Sequence, residues 1–185
     1  MSGLEIVQVG DRVLRQKAKK LTSSQIKSTE IQELIKAMKS LAKSGKYGVG
    51  LAAPQVGESL ALSVITIRPT PSHPGRETFE AVIINPVVTK YIGKPVPKWE
   101  GCMSFGSNES PLFAQSERYE EITVTYLDEQ GNKHKETLDG FKAHVFQHEI
   151  DHLNGILFVD RITDSKTWMG AGQYKKMLAA QSTTK

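Results

Sequence analysis

Cysteine is almost absent from this chain of 185 residues, in which Cys102 is the only one. A single cysteine excludes an intrachain disulfide framework and leaves its thiol for packing, nucleophilic chemistry or metal ligation. Long apolar runs are also lacking, because none approaches the roughly 20 residues that a membrane span needs. The first residues have neither the apolar core of a signal peptide nor an Arg- and Ser-rich leader. We therefore expect a cytoplasmic protein without membrane contact, or an organellar one from which a transit peptide has been removed.

The composition also lacks a dominant charge or a low-complexity bias. Twenty-four Lys and Arg face 20 Asp and Glu, which gives a formal net charge of +4, and 38% of the residues are hydrophobic. The basic residues are dispersed and interrupted by acids, so no direct nucleic-acid function is predicted. The length fits one domain, and neither a linker nor an internal repeat divides it. We expect residues 1–185 to form a single catalytic domain in which about residues 181–185 are a frayed tail.

One short segment carries two histidines and a carboxylate. It reads Gln147-His148-Glu149-Ile150-Asp151-His152. On a helix, His148 and His152 lie on one face, one turn apart, where two imidazoles can bind the same divalent metal ion. Glu149 beside them is a candidate general base. The alternative is a pair of helix histidines satisfied by hydrogen bonds, which the adjacent Glu149 disfavours. The segment thus predicts a hydrolytic metal site and leaves the third ligand open.

The known zinc proteases with this pattern take their third ligand from further along the chain. In one class that ligand position falls here on Phe158, which cannot coordinate a metal. Another class uses a downstream Glu, and this chain has no acid after Asp164. Cys102 is the remaining soft ligand, and a thiolate with two imidazoles leaves a fourth tetrahedral position open for water. The alternative for a lone cysteine is a small buried hydrophobic residue.

Hydrophobic periodicity predicts where the helices and strands lie. Apolar residues at three- and four-residue spacing predict an amphipathic helix closed by Gly45, and β-branched runs bounded by turn residues predict strands. A helix from Asp139-Gly140 to Leu153 carries the two histidines. The predicted ranges are helix 24–44, strands 60–67 and 81–88, an extended segment 87–99, a loop 105–116, a hairpin of strands 122–127 and 133–138, and a last helix 165–180.

Three segments in this order resemble the signature motifs of the peptide deformylase family. They are Gly48-Val49-Gly50-Leu51-Ala52-Ala53-Pro54-Gln55, Glu100-Gly101-Cys102-Met103-Ser104 and Gln147-His148-Glu149-Ile150-Asp151-His152. That family removes the formyl group from N-formylmethionine of nascent polypeptides and releases formate. The resemblance implies an α+β fold with antiparallel β-sheets packed around a central metal-binding helix. It also implies an N-terminal amphipathic helix and a C-terminal helix.

The resemblance further implies the residues of the site. The implied metal ligands are Cys102, His148 and His152, holding one divalent ion, with Fe(II) the usual physiological metal and Zn, Ni or Co able to replace it. Glu149 is the implied general base and acid for the attack of metal-bound water on the formyl carbon. Gln55 and the Met103 backbone N–H stabilise the oxyanion. The implied substrate-binding residues are Val49, Gly50, Phe141 and His144. Asp151 and Arg118 form the implied supporting ion pair.

The implied partners are formyl-Met nascent peptides, and we expect the basic surface and the last helix to contact the ribosome. Two features motivate a rival hypothesis, a non-catalytic metal-binding homologue. The first is a histidine at His144, and the second is the altered stretch that follows Ser104. A zinc endoprotease is the third hypothesis, which the missing downstream ligand disfavours.

Overall fold

The computed structural model describes residues 4–44, 48–70, 73, 75–106 and 110–182. Its architecture is α+β, with an antiparallel sheet, an N-terminal amphipathic helix, a central helix that carries the histidines and a C-terminal helix, and it confirms the predicted fold class. The strands are β1 (Gly50–Ala52), β2 (Leu62–Ile67), β3 (Phe79–Gly101), β4 (Leu112–Leu127), β5 (Lys133–Asp139) and β6 (Met169–Gly170). The helices are α1 (Ser23–Ile26), α2 (Thr29–Ser44), α3 (Gly140–Leu153) and α4 (Ala171–Ser182). None of these helices is long and apolar enough to cross a lipid bilayer.

The strands form one antiparallel sheet in the order β1-β2-β3-β4-β5, with β6 paired to the start of β4. Strand β3 has 23 residues, and its pairing with β4 shifts register at three places between Ile84 and Pro95. Such bulges bend a strand and increase its twist. The far end of β3 therefore separates from the β2 side of the sheet and brings Glu100, paired with Ala114, to the site described below.

Two apolar clusters hold the helices on this sheet. Helix α2 buries Ile31, Ile35 and Met38 against β1, β2 and β3. Helix α3 buries Val145, Phe146 and Ile150 against the strands β2 to β5. Most of α3 is buried, including its polar residues, because the sheet and its connections surround it. Polar side chains held in this way need partners inside the protein, and Gln147, for example, bonds the backbone of Tyr119.

The predicted helix 24–44 is interrupted. Thr22 caps α1 in a capping box with Gln25, and the Ser28 hydroxyl then accepts a hydrogen bond from the Ile31 backbone N–H at the start of α2. A serine that bonds the local backbone favours a new helix start over continuation. Periodicity alone did not detect this break, because the apolar spacing continues across it. Gly45, the predicted helix end, lies outside the described residues.

The predicted loop 105–116 and last helix 165–180 were wrong in part. Strand β4 starts at Leu112, because its backbone pairs with the end of β3, for example Ser116 with Lys98. Residues 165–167 form a short 3-10 turn, and Met169–Gly170 then pairs with Leu112 and Phe113. Helix α4 begins only at Ala171 and extends to Ser182. Both errors arose because long-range strand pairing overrode local composition.

Candidate metal centre

Three potential metal ligands converge where the end of β3 meets α3. Cys102 follows β3 directly, and His148 and His152 lie one turn apart on α3. The Cys102 Sγ atom is 3.4 Å from His152 Nε2, which is 3.2 Å from His148 Nε2. One ligand atom from each residue lies within 4.8 Å of the others. Cys102 thus lies next to His148 and His152 in space, although they follow it by 46 and 50 positions in the sequence.

The separations of these donor atoms fit a single tetrahedral ion. Bond lengths of about 2.3 Å to sulfur and about 2.0–2.1 Å to nitrogen imply a nitrogen–nitrogen separation of about 3.3 Å and a sulfur–nitrogen separation of about 3.6 Å. The observed 3.2 and 3.4 Å are close to both values. The donor set also suits a divalent transition metal, because soft thiolate and imidazole ligands bind such ions.

Glu100 lies beside the candidate metal ligands and orients the first histidine. Its Oε1 atom is 3.1 Å from His148 Nδ1, so His148 donates this N–H and turns Nε2 towards Cys102 and His152. Burial opposes ionisation of Glu100, but the charge and hydrogen bonds of Arg118 hold its pKa well below the usual value. An ionised carboxylate at this position fixes the histidine tautomer that leaves Nε2 free to bind a metal.

Arg118 connects this carboxylate to the metal-binding helix. Its guanidinium group donates two hydrogen bonds to Glu100, at 2.9 and 2.8 Å, and a third to Asp151 at 2.5 Å. The ion pair expected between Arg118 and Asp151 therefore forms, and it is buried, since Arg118 is only 2% exposed. Arg161 donates two more hydrogen bonds to Asp151. The network joins β3, β4 and α3 around the ligands.

Glu149 is a buried carboxyl group beside the ligands. Within the part of the chain that the structure describes, its Oε2 atom has no hydrogen-bond partner. Burial raises the pKa of Glu149 to about 7. A carboxyl group with a pKa near neutrality and an unpaired oxygen can exchange a proton with a bound molecule. Gly50 of β1 lies directly against this carboxylate.

Gln55 and Met103 approach the ligands from the opposite side. The Gln55 Oε1 atom accepts a hydrogen bond from the Ala52 N–H, so its amide nitrogen points to Cys102 Sγ at 3.4 Å and to Ser104 Oγ at 3.2 Å. The Met103 carbonyl accepts a hydrogen bond from Gln8. Across the described residues, no backbone hydrogen bond uses the Met103 N–H. Gln55 and Met103 both border the cavity in front of the candidate ligands.

A cavity of about 240 Å³ opens in front of this cluster. Apart from His152 and the supporting pair Arg118 and Asp151, all the predicted site residues border it. Val49 and Phe141 form half-buried apolar wall, whereas His144 is buried and polar. The His144 Nε2 atom lies 2.5 Å from Glu100 Oε2 and donates to it, and burial lowers the pKa of this histidine. His144 is thus a cavity wall and a partner of the carboxylate that orients His148.

Several residues at this cavity were missed in the sequence. Glu100 belongs to one of the three motif segments, but no function was assigned to it from the sequence. Its partners Arg118 and His144 lie 18 and 44 positions away in the chain. Other residues that border the cavity were also missed and belong to no local motif. They include Arg68, Arg76, Trp99, Tyr174 and Lys175. No sequence signal could have placed α4 at this cavity, because its position follows from the pairing of β6 with β4.

Comparisons with known proteins agree with this geometry. A family model described as "Polypeptide deformylase" matches residues 3–168. The "Peptide deformylase 2" of Nostoc sp. is 36% identical over 177 residues, which cover 95% of this chain and 94% of that protein. The "Peptide deformylase 1B, chloroplastic/mitochondrial" of Arabidopsis thaliana is 36% identical over 161 residues, covering 87% of this chain and 55% of that protein. A crystal structure of class I type b peptide deformylase from Acinetobacter baumannii, with Met-Ala-Ser bound, is similar with a TM-score of 0.79 and 34% identity, covering 86% of this chain and 98% of that one.

Proposed function

This chain belongs to the polypeptide deformylase family, and we propose that Cys102, His148 and His152 hold the metal with which it removes the N-formyl group from nascent polypeptides. One observation carries this assignment of ligands. The three donor atoms lie at the separations of a tetrahedral site, and they face a cavity beside the unpaired carboxylate of Glu149. A divalent ion bound there supplies Lewis acidity, which polarises the formyl oxygen and makes water more acidic.

Glu149 moves the proton in this proposal. Its carboxylate takes a proton from the attacking water as the water oxygen bonds to the formyl carbon, and then gives that proton to the leaving nitrogen as the C–N bond breaks. The products are formate and a peptide with a free amino group. The pKa of Glu149, which burial raises to about 7, suits a group that must both accept and donate a proton near neutral pH.

Gln55 and Met103 stabilise the negative charge that develops on the formyl oxygen. The Gln55 carboxamide is held in one orientation by the Ala52 N–H, and its amide nitrogen points towards the ligand cluster. Met103 borders the same cavity, and among the described residues its N–H makes no backbone hydrogen bond. Donors fixed in this way need little reorganisation during the reaction, which is the basis of oxyanion stabilisation.

The walls of the cavity bind the first side chain of the substrate. Val49 and Phe141 offer apolar surface for a methionine side chain, and His144 adds one polar wall. Gly50 leaves room beside Glu149 for the substrate backbone. The relative from Acinetobacter baumannii was crystallised with a peptide that begins with methionine, which supports this use of the cavity.

Formate release is the test of this function. The protein reconstituted with Fe(II) or Ni(II) should release formate from a formyl-Met-Ala peptide, whereas Glu149→Gln should lower kcat by about 10²–10⁴-fold, the usual contribution of a general base. The variant should retain its metal, because Glu149 is not a ligand. Metal binding without formate release by the wild type would instead favour the non-catalytic homologue.

Fe(II) is the native metal in this proposal, and Zn, Ni and Co can occupy the same site. The soft Cys/His/His donor set supports a transition metal but does not select among these four. Metal analysis after anaerobic purification from iron-replete cells should find about one iron per chain. Stoichiometric zinc, with the same activity, would contradict the assignment.

The remaining proposals concern the setting of the enzyme. Residues 1–185 form a single domain, so urea unfolding followed by fluorescence and by circular dichroism should give one coincident transition. The enzyme acts in the cytoplasm, or in an organelle like the chloroplastic/mitochondrial relative, and cell fractionation distinguishes the two.

The enzyme contacts the ribosome through exposed basic residues of α4. Substituting Lys176 by Glu should reduce co-sedimentation with ribosomes, and unchanged co-sedimentation would contradict the contact.

A further inference from the structure

The mouth of the active-site cavity is formed by two segments that approach it from different parts of the chain. One is the connection between β2 and β3, which contributes Arg68 and Arg76. The other is α4, which contributes Tyr174, Lys175 and Leu178. The match to the family model ends at residue 168, before α4 begins. Part of the substrate entrance is therefore built by residues that lie beyond the matched region.

Aromatic contacts fix α4 at this entrance. The Tyr174 ring stacks on Phe113 of β4, with 4.0 Å between ring centroids and 11° between planes, and it lies 5.8 Å from the ring of Trp99. Stacked aromatic pairs contribute stability beyond their buried area. Lys175, the next residue, is exposed and borders the cavity. The stack thus holds a cation beside the entrance.

A second cation, Arg76, also borders the cavity. The Arg76 guanidinium carbon is 3.9 Å from the centre of the Phe141 ring, on the cavity wall proposed to bind the methionine side chain. This cation–π contact positions Arg76 and leaves its N–H groups able to donate. Across the described residues, neither Arg76 nor Lys175 forms an ion pair with a carboxylate.

The carboxylates that border the cavity do not neutralise this entrance. Among the residues that the structure describes, these carboxylates are Glu100 and Glu149, and both are buried beside the candidate metal ligands. Glu100 is already paired with Arg118. Within the described ranges, the charged side chains that border the cavity away from the candidate metal ligands are therefore all basic, namely Arg68, Arg76 and Lys175.

Taking the deformylase function proposed above as its basis, we propose that Arg76 and Lys175 form a subsite for acidic side chains in the first two residues after formylmethionine. A formyl group at the ligands and a methionine side chain against Phe141 direct the following residues outward, past the two cations. Aspartate or glutamate at these positions gains ion pairs that asparagine or glutamine cannot form. The enzyme thereby favours nascent chains with acidic N-terminal sequences.

Two matched peptides test this subsite. Formyl-Met-Asp-Asp-amide and formyl-Met-Asn-Asn-amide are nearly isosteric, and the C-terminal amide removes the terminal carboxylate as a second source of negative charge. At about 0.02 M salt, kcat/KM should be about fivefold higher for the acidic peptide, the upper range for partly exposed ion pairs. At about 0.5 M salt the ratio should approach one, because exposed charges are screened. A comparison of formyl-Met-Ala with its amide then measures any effect of a terminal carboxylate.

Variants on the two segments assign the effect. Arg76→Gln and Lys175→Gln should each lower the acidic-to-neutral ratio by about twofold, and the double variant should bring it to about one. Lys176→Gln is the matched control, since it removes the same charge from an exposed neighbour that does not border the cavity. It should leave the ratio unchanged. Equal loss in Lys176→Gln would attribute the preference to net charge and overturn the subsite.

The outcomes separate this inference from the function on which it rests. Formate release from both peptides at equal kcat/KM would overturn the subsite and leave the deformylase function intact. No formate from either peptide would overturn the function and the subsite together. A preference for the acidic peptide that the double variant removes supports the subsite directly.

Discussion

At the scale of single residues, Gly50 is the position with least room for change. A Cβ atom added there would lie 2.7 Å from the carboxyl carbon of Glu149 and 2.9 Å from its Cγ atom, far inside van der Waals contact. The glycine therefore allows β1 to lie against Glu149, the proposed general base. Two reasons thus favour glycine at position 50. A side chain there would collide with Glu149, and it would also fill space proposed for the substrate backbone.

We predict that Gly50→Ala lowers kcat/KM by about 100-fold, the usual cost of moving a catalytic group by about 1 Å. Metal content should stay near one ion per chain, because the ligands are not displaced. Gly172→Ala is the control, since no atom lies within 4 Å of its added Cβ, and it should retain wild-type kinetics. Wild-type kcat/KM in Gly50→Ala would contradict this packing account.

Residues of the site were predictable where their signal is local. His148, Glu149 and His152 occupy adjacent helix positions, so spacing alone predicted two ligands and a base. The function of Glu100 was not predictable, because it depends on contacts with residues on β4 and α3. A side chain that orients a ligand carries no spacing rule of its own, and only the folded arrangement reveals it.

At the scale of elements, Arg118 connects the sheet to α3, the helix that carries the two histidines. It lies on β4 and bonds Glu100 of β3 and Asp151 of α3, in a place where it is 2% exposed. Burial of Arg118 opposes its charge, but the two carboxylates raise the pKa of the guanidinium above its usual value. Removing it leaves two buried carboxylates without their main partner.

We predict that Arg118→Leu lowers the free energy of unfolding by about 3–5 kcal/mol, the usual cost of breaking a buried ion pair from one side. Urea unfolding of the metal-free protein measures this effect apart from metal binding. Arg161→Leu is the matched control, because Arg161 bonds the same Asp151 but its side chain is 40% exposed. It should cost no more than about 1 kcal/mol. Equal losses in both variants would show that burial does not decide the cost.

The turn between β4 and β5 gives a pH-dependent prediction. Asp128 accepts hydrogen bonds from the Gln130 N–H at 2.9 Å and the Asn132 N–H at 2.8 Å, and it faces His134 at 2.9 Å. Burial acts to raise the pKa of Asp128, but the hydrogen bonds from His134 and Asn132 outweigh it and lower the pKa. The stabilisation is therefore fully present above the unfolded-state pKa of about 4 and is lost as the pH falls below it.

Asp128→Asn should accordingly lower the free energy of unfolding by about 1 kcal/mol at neutral pH, the value of a typical hydrogen bond. The difference from wild type should shrink as the pH falls below about 4, because the unfolded chain then binds a proton at Asp128 while the folded chain, with its lowered pKa, does not. Urea midpoints measured across this range provide the check. A difference that does not change with pH would mean that the charge of Asp128 does not stabilise the turn.

Elements with strong local signals were predicted well. The hairpin of β4 and β5 follows from β-branched runs around a turn, and α3 follows from the glycine that opens it and the apolar face it buries. The start of β4 and the position of α4 were not predictable, since each depends on pairing with a distant strand. Local composition at 105–116 favours a loop, and only the partner strand makes its second half extended.

At the scale of the whole molecule, the candidate metal centre joins segments that are distant in the sequence. Its ligands come from the end of β3 and from α3, and both pack against the segment that carries Gly50 and Gln55. A metal that binds only the folded chain therefore stabilises the fold as a whole. The sequence predicted the ligands but not this arrangement, in which α4 closes one side of the cavity.

We predict that metal at about 100 times its Kd raises the free energy of unfolding by about 2.7 kcal/mol. For a chain of this size the melting temperature should rise by about 5–10 °C. Cys102→Ser should abolish most of this rise. The free energy of unfolding of the metal-free protein should change little, because the substitution is nearly isosteric. An equal rise in wild type and Cys102→Ser would show that the thiolate does not bind the ion.

The central claim is that one ion is held by one thiolate and two imidazoles, and X-ray absorption of the zinc-loaded protein tests it most directly. The spectrum should contain one sulfur at about 2.3 Å together with nitrogen or oxygen atoms at about 2.0–2.1 Å, including the signature of two imidazoles. Cys102→Ser should remove the sulfur and keep the imidazoles. A wild-type spectrum without sulfur would contradict the claim.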